Sequence, residues 1–196
     1  MLHIVDDEEV IRDALSWLAQ SRGIAAAAYD SADAFLAALQ ARPAFDAGGD
    51  CLLLDIRMPV TSGVVLFETL YARGLTVRLP VIFLTGHGDV PMAVSALKRG
   101  AFDFFEKPFN DNSLMDRVEE ALAASRAAGA SAAVGQRLAA LSAREREVLD
   151  LILEGKMNKV IADCLGISMR TVEVHRAHIF DKMSVKTAVE LARLLK

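Results

Sequence analysis

The sequence has no apolar run as long as the roughly 18 residues that a membrane-spanning helix requires. It contains few cysteines, Cys51 and Cys164, and each lies in an apolar segment, so we expect buried thiols and no zinc site. The first residues turn acidic at Asp6 and Asp7, where a signal peptide would continue its apolar stretch. These absences predict a cytosolic protein that has no membrane partner.

The net charge of −4 on 196 residues argues against a nucleic-acid binder, but the charge is unevenly distributed. Residues 136–196 have 11 basic and 8 acidic side chains, whereas residues 1–135 have 11 basic and 18 acidic side chains. The length allows one large domain or two small ones. An acidic first part and a mildly basic second part predict two domains with different partners.

An alanine-rich stretch separates these two parts. Eight of the 13 residues in 121–133 are alanine, which favours a helix that Gly129 and Ser131 then loosen into a linker. The predicted parts are a first domain, a linker and a second domain, which cover residues 1–124, 125–137 and 138–196.

Five short apolar segments alternate with five helical segments before the alanine-rich stretch. The predicted strands are Leu2–Val5, Ile24–Tyr29, Cys51–Leu54, Val81–Leu84 and Phe102–Glu106. The segments between them have the 3.6-residue periodicity or the capping residues of helices. This order predicts an α/β domain with a doubly wound, five-stranded parallel sheet, in which the second strand lies at an edge.

Only helical periodicity remains after the linker. Ser142 and Glu145 match a capping box, and Asn158 is expected to cap the short helix that follows. A tight turn at Gly166 then leads into a longer helix, Met169–Met183. Two helices joined by a tight glycine-containing turn are typical of the helix-turn-helix, so the second domain is predicted to be all-α.

Polar side chains follow four of the predicted strands, and they are Asp6, Asp7, Asp55, Thr85 and Lys107. Each of them alone is more typical of a solvated turn, a helix cap or an ordinary strand end. Ligands of doubly wound sheets bind at the carboxyl ends of the strands, where three converging carboxylates need a cation. Oxygen ligands without thiols favour Mg²⁺, which often shares a phosphate. The predicted chemistry is phosphoryl transfer to a carboxylate, with Lys107 and Thr85 on the phosphoryl oxygens.

Residues 1–124 resemble the receiver domain of a two-component response regulator, which has a flavodoxin-like fold. The segments that carry the resemblance are Asp6-Asp7-Glu8, Leu54–Pro59 with Gly63, Leu84–Asp89 and Phe104–Phe109. The resemblance implies that a histidine kinase phosphorylates Asp55.

The same resemblance implies roles for the residues around Asp55. The implied magnesium site comprises Asp7, Asp55, the backbone carbonyl of Arg57 and, through water, Asp6. Thr85 and Phe104 would form the switch pair, in which Thr85 moves toward the phosphoryl group and the aromatic ring turns inward. The Lys107–Pro108 peptide would be cis.

The helix Met169–Met183 follows a capped turn and carries basic side chains, as a recognition helix in the major groove does, although a solvated helix has a similar composition. Arg176 is predicted to pair with a guanine. Lys159 and Thr171 lie near helix starts, where phosphate contacts are favourable. His175 has two equally good interpretations, namely packing against the turn and a DNA contact.

Residues 138–195 resemble the LuxR-type helix-turn-helix domain. The matching segments are Leu141–Leu149, Gly155–Ala162 and Ile167–Arg176. The resemblance places Glu173 and Arg176 near bases and places Lys159, Arg170 and Thr171 near phosphates. It also implies that the domain dimerises through Thr187–Leu195. The two domains together look closest to FixJ-like regulators.

We therefore expect a cytoplasmic transcription factor, not an enzyme, that a histidine kinase controls by phosphorylating Asp55. The phosphorylated protein is expected to form a homodimer through residues 90–99 and 102–106 and to bind double-stranded promoter DNA, with an activator favoured over a repressor. The rival hypothesis is a phosphotransfer or interaction protein without a DNA target. The kinase, the signal, the operator and the choice between activation and repression stay open. Inhibition of the second domain by the unphosphorylated first domain, and control of pairing alone, are also both open.

Overall fold

The computed structural model describes residues 1–42, 44–86 and 90–195. The chain divides into two compact units, Met1–Gly129 and Ala130–Lys196. Among the described helices, none has both the length and the apolar character that a membrane crossing needs. Part of one receiver-like motif, His87-Gly88-Asp89, lies outside the described residues.

The first unit is a parallel sheet with the strand order β2-β1-β3-β4-β5. The strands are β1 (Leu2–Val5), β2 (Ala26–Tyr29), β3 (Cys51–Asp55), β4 (Val81–Thr85) and β5 (Asp103–Glu106). The helices are α1 (Glu9–Ser21), α2 (Ala32–Ala41), α3 (Gly63–Ala72), α4 (Val90–Lys98) and α5 (Asp111–Ala139). The predicted fold class is confirmed, and β2 lies at an edge.

Strand β2 is two residues shorter than predicted. The amide of Ile24 donates to the carbonyl of Ala19 at the end of α1 (2.9 Å), so it closes the helix instead of joining the sheet.

Strands β3 and β4 are buried along their whole length because helices cover both faces of the sheet. Alternate residues therefore enter two separate cores. Leu52 and Phe83 pack with side chains of α2 and α3, whereas Leu53 and Ile82 pack with side chains of α1 and α5. This double coverage explains why neither strand alternates polar and apolar residues.

Helix α5 continues without interruption to Ala139, so residues 125–137 of the predicted linker are helical. Gly129 and Ser131 do not loosen the chain as expected. The helix propensity of the surrounding alanines outweighs the cost of about 1 kcal/mol that a glycine imposes inside a helix. The domain boundaries drawn from the sequence remain a prediction.

The second unit contains the end of α5 and four further helices around one core. They are α6 (Ala143–Leu153), α7 (Asn158–Leu165), α8 (Met169–Met183) and α9 (Ala188–Leu194). The Ser142–Glu145 capping box is confirmed, since the Ser142 hydroxyl accepts from the Glu145 amide (3.2 Å) and the Glu145 carboxylate accepts from the Ser142 amide (2.7 Å).

Two expectations about α7 are wrong. Asn158 is the first residue of the helix rather than its cap, and the cap residue, Met157, makes no side-chain hydrogen bond. The Cys164 thiol is exposed, because α7 buries the side of the helix that carries Ile161 and Ala162. Cys51 is buried as predicted.

Candidate functional site

The carboxyl ends of β1, β3 and β5 bring three of the predicted side chains together. The Lys107 ammonium lies 2.8 Å from Asp6 Oδ2 and 2.7 Å from Asp55 Oδ1. Glu8 Oε1 lies 3.9 Å from the same ammonium, a contact that the strand-end argument missed because Glu8 stands two residues further along the chain. The structure thus joins Asp6, Asp55 and Lys107 in one cluster.

Backbone groups fix the remaining carboxylate oxygens of this cluster. The Glu8 amide donates to Asp6 Oδ1 (2.9 Å), and the Arg57 amide donates to Asp55 Oδ2 (2.7 Å). The Arg12 guanidinium on α1 donates to the backbone carbonyls of Asp6 and Asp7, at 2.9 Å each. Sequence reasoning also missed Arg12, whose position six residues after Asp6 was the available signal.

Burial and charge oppose each other at Asp55. Removal from water raises the pKa of the Asp55 carboxyl, the Lys107 hydrogen bond lowers it, and the neighbouring Asp6 raises it again, so the pKa lies above its ordinary value. Burial lowers the pKa of Lys107, but hydrogen bonds to Asp55 and Asp6 outweigh that effect and leave the pKa raised. A charged ammonium therefore faces two carboxylates.

The magnesium prediction receives support from donor chemistry but not from a preformed cluster. Asp7 is exposed, and in the described parts of the chain no three acidic, histidine or cysteine side chains form a group that could hold a metal. Asp7 and Arg57 border one open cleft together with Ile56, the residue that follows Asp55. The carboxylate and carbonyl oxygens around it are the donors that Mg²⁺ prefers, so the donor set fits the ion.

The predicted switch pair lies on the neighbouring strands β4 and β5. Thr85 is buried, and its hydroxyl donates to the carbonyl of Gly86 (2.9 Å). Phe104 is half-buried against the core cluster that contains Phe83. The Lys107–Pro108 peptide is cis, as the resemblance implied.

Helix α8 of the second unit has a buried side formed by Val172, Ile179 and Met183. Arg170, Glu173, Val174, Ala177 and His178 are exposed. Val174, with 47% of its surface exposed, is not among the predicted DNA contacts, because an apolar residue in an amphipathic helix is expected in the core. Its two-residue spacing from the buried Val172 was the signal that it faces away.

The predicted DNA contacts differ in how open they are. Lys159 and Arg170 are exposed at the second residues of α7 and α8. Arg176 is half-buried, and its guanidinium carbon lies 5.4 Å from the centre of the Phe180 ring.

Of the other three predicted contacts, Glu173 is exposed, whereas Thr171 and His175 are partly engaged within the unit. The Thr171 hydroxyl lies 2.8 Å from that of the capping Ser168. His175 is half-buried, and its buried Nδ1 has no hydrogen-bond partner among the described residues, which favours the packing interpretation.

Two family models match the chain. Residues 2–119 match the response regulator receiver domain, and residues 139–195 match the bacterial regulatory proteins of the luxR family.

Similar proteins cover the whole chain. The C4-dicarboxylate transport transcriptional regulatory protein DctR of Rhodobacter capsulatus is 53% identical over 98% of this chain and 98% of its own. The transcriptional regulatory protein FixJ of Azorhizobium caulinodans is 45% identical over 98% of this chain and 90% of its own. The solved structure of the response regulator StyR has a TM-score of 0.72 at 37% identity and covers 99% of this chain and 96% of that one.

Proposed function

The chain belongs to the two-component response regulators that combine a receiver domain with a LuxR-type DNA-binding domain, and we propose that phosphorylation of Asp55 by a histidine kinase controls its binding to promoter DNA. As a member of this family it is a transcription regulator, and its relatives are regulators rather than enzymes. The LuxR-type domain argues against the rival hypothesis of a phosphotransfer protein without a DNA target.

The observation that supports phosphorylation is the Lys107 ammonium between Asp6 and Asp55 at the buried end of β3. In the proposed transfer, a carboxylate oxygen of Asp55 attacks the phosphorus of a phosphohistidine. The new P–O bond forms as the P–N bond breaks, and the imidazole nitrogen keeps the electron pair. Lys107 already lies 2.7 Å from the acceptor carboxylate, so its charge can stabilise the transferring group without a large rearrangement.

Mg²⁺ is the proposed cofactor, held by Asp7, Asp55, the Arg57 carbonyl and, through water, Asp6. When bound, it supplies positive charge that neutralises the carboxylates and the phosphoryl oxygens. The Arg12 guanidinium holds the backbone of Asp6 and Asp7, and the Arg57 amide holds Asp55 Oδ2, so the backbone that carries Asp6 and Asp7 and one oxygen of Asp55 are already fixed.

Thr85 is the proposed sensor of the phosphoryl group. Its hydroxyl now donates to the uncharged carbonyl of Gly86, and a phosphoryl oxygen would be a stronger acceptor. Rotation of Thr85 would leave space that the half-buried ring of Phe104 can fill. We propose that this change alters the surface of α4 and β5, through which the cytoplasmic protein pairs on promoter DNA as an activator.

Phosphorylation of the full chain tests the proposal. Incubation with acetyl phosphate and Mg²⁺ should label Asp55, and the label should be lost with a chelator or in Asp55→Asn. Asp13→Asn, an exposed carboxylate on α1, is the matched control and should be labelled like the parent. Undiminished labelling of Asp55→Asn would show that the acceptor is wrong.

A promoter-fragment pool tests the DNA step. Fragments retained by the phosphorylated protein should share a sequence that the unphosphorylated protein retains poorly. Retention of no common sequence in either state would contradict the proposed control of promoter binding.

A further inference from the structure

A second polar cluster lies toward the amino-terminal ends of β1 and β3, whereas Asp55 lies at the carboxyl end of β3. His3 on β1 and Asp50 before β3 are buried, and the Arg42 side chain, at the end of α2, is 24% exposed. The His3 Nε2 atom lies 3.0 Å from Asp50 Oδ1 and 2.8 Å from Arg42 Nη1. Arg42 Nη1 itself lies 3.0 Å from Asp50 Oδ1, so the three atoms form a triangle.

The hydrogen atoms available to this triangle do not satisfy all three contacts at once. A guanidinium only donates hydrogen bonds, and a carboxylate only accepts them. His3 Nε2 can accept from Arg42 when it carries no proton, or it can donate to Asp50 when it carries one. A protonated Nε2 places two donors 2.8 Å apart, so it cannot keep Arg42 where it is.

We propose that His3 and Arg42 are alternative partners of Asp50 and that protonation of the His3 ring exchanges one for the other. In the neutral state Arg42 pairs with Asp50 and also donates to His3 Nε2, and the ring proton on Nδ1 faces the Tyr29 hydroxyl (3.3 Å). In the protonated state a proton from solvent occupies Nε2, the ring donates to Asp50, and Arg42 turns into solvent.

Charge favours this exchange. One buried carboxylate needs one cation, and a charged His3 beside Arg42 would leave an excess positive charge in a buried site. Asp50 keeps its charge in both states, because the Asp46 amide and one of the two alternative donors, His3 or Arg42, always donate to it, and such hydrogen bonds outweigh burial and hold the pKa of its carboxyl well below the ordinary value. Arg42 is the partly exposed member, so it is the one that can leave.

The other groups around His3 do not replace either partner. Tyr29 of β2 stacks on the ring at 6.0 Å and offers its hydroxyl, and Phe35 of α2 presents an edge at 5.5 Å. Asp50 Oδ2 accepts from the Asp46 amide (2.5 Å) and is therefore already occupied. The choice of cation is thus left to His3 and Arg42.

The segment that contains Asp50, residues 46–50, also contacts α5. The Asp50 amide donates to the Ser125 hydroxyl (2.9 Å), and the Arg126 guanidinium donates to the Gly48 carbonyl (2.9 Å). Gly49 has a φ of +91° and lies so close to α5 that a Cβ would stand 2.2 Å from the Leu122 carbonyl oxygen. Loss of Arg42 removes one tie between α2 and this segment, and we expect lower amide protection factors, which correct for the intrinsic pH dependence of exchange, in residues 46–50 at acidic pH.

Nitrogen NMR of the full chain labelled in histidine and arginine tests the exchange. At pH 8 the His3 ring should carry its proton on Nδ1 and not on Nε2. During acidification, the signals of the Arg42 guanidinium should change in step with protonation of the His3 ring. A proton on Nε2 at pH 8 in the parent protein would overturn the proposal without any variant.

Substitution of Arg42 provides the second measurement. Arg42→Met should move the ring proton from Nδ1 to Nε2 at pH 8. Asp50 is then the one remaining member of the triangle beside His3, and its carboxylate needs a donor at Nε2. Arg73→Met, at the equivalent end of α3, is the matched control and should leave the His3 tautomer unchanged. The same tautomer in the parent and in a folded Arg42→Met protein would show that Arg42 does not control the ring.

Discussion

The charge of Glu145 is expected to hold α6 and α8 together in the second unit. Its carboxylate, 5% exposed, accepts from the Lys182 ammonium of α8 (2.7 Å) and from the Ser142 amide (2.7 Å). The Lys182 ammonium also donates to the Ala140 carbonyl (3.2 Å). Glu145→Gln keeps an oxygen for the capping amide but removes the charge that pairs with Lys182.

The magnitude follows from the shift in the Glu145 pKa. The Lys182 hydrogen bond, with the Ser142 amide second, lowers that pKa from 4.5 to about 2. At about 1.4 kcal/mol per pH unit, this shift corresponds to an upper limit of about 3 kcal/mol. Since the Lys182 side chain is 40% exposed and partly screened by water, we expect that Glu145→Gln lowers the free energy of unfolding by about 1–2 kcal/mol at pH 7.

The pH dependence of this loss has a fixed sign. A carboxyl whose pKa is lowered in the folded state stabilises that state fully above its unfolded pKa. The contribution is lost as the pH falls from about 4.5 to about 2. The difference between Glu145→Gln and the parent should therefore be largest near neutral pH and shrink toward pH 2.

Hydrogen exchange of the full chain during urea unfolding measures the effect in α6 and α8. The fluorescence of Trp17, the one tryptophan of the chain, reports on the first unit, so its urea midpoint should be the same in Glu145→Gln and in the parent. Glu147→Gln is the matched control, because Glu147 is 52% exposed and pairs with Arg144 on the same helix, so its loss should cost about 0.5 kcal/mol or less. Equal losses in the two variants, or a difference that persists at pH 2, would refute the reasoning.

Three further predictions concern stability and DNA binding. Asp55→Asn should unfold at a higher urea concentration than the parent in metal-free buffer at pH 7, because a carboxyl whose pKa is raised by burial and by Asp6 destabilises the fold when ionised; a lower midpoint would contradict this. Val60→Gly should raise the free energy of unfolding by about 1 kcal/mol, because Val60 is a β-branched residue at a φ of 65°. Val77→Gly, at another exposed position, should lower the free energy of unfolding, and urea titration measures both changes. In salt-dependent binding assays, Lys159→Ala should weaken binding to all sequences and reduce the salt slope by about 1. Arg176→Ala should weaken binding to the specific site by about 1–3 kcal/mol. Equal effects of Arg176→Ala on all sequences would show that Arg176 contacts a phosphate.

The strand-end residues could be predicted because a parallel sheet leaves little freedom in where its strands end. Once the strands ending near Val5 and Asp55 lie side by side, the side chains that follow them share one edge. The Ser142 capping box was equally predictable, since both of its hydrogen bonds join residues three apart. Local geometry and sheet topology thus accounted for the acidic cluster and for the start of α6.

Contacts that depend on tertiary distance were not predictable in this way. His3 and Asp50 are 47 residues apart, and neither residue has a local pattern that distinguishes it from an ordinary strand-flanking residue. The length of α5 was missed because propensity compares glycine with alanine locally, whereas a long helix adds the preferences of many residues. Cys164 was misplaced because an eight-residue helix gives too few turns to define its buried side.

The resting cluster itself indicates how the proposed phosphoryl group at Asp55 would act as a signal. One ammonium is divided between Asp6 and Asp55, at 2.8 and 2.7 Å, so neither carboxylate has a cation of its own. A phosphoryl group would replace the carboxylate charge of about −1 by a charge of about −1.5 to −2 and would add three acceptor oxygens, which would attract Lys107 and offer the Thr85 hydroxyl a better acceptor than Gly86. The strands β3 and β4 are buried on both faces and closely packed, so they cannot easily shift. The residues that follow the strands must absorb the change, and the surface next to α4 and β5 is therefore where we expect the signal to emerge.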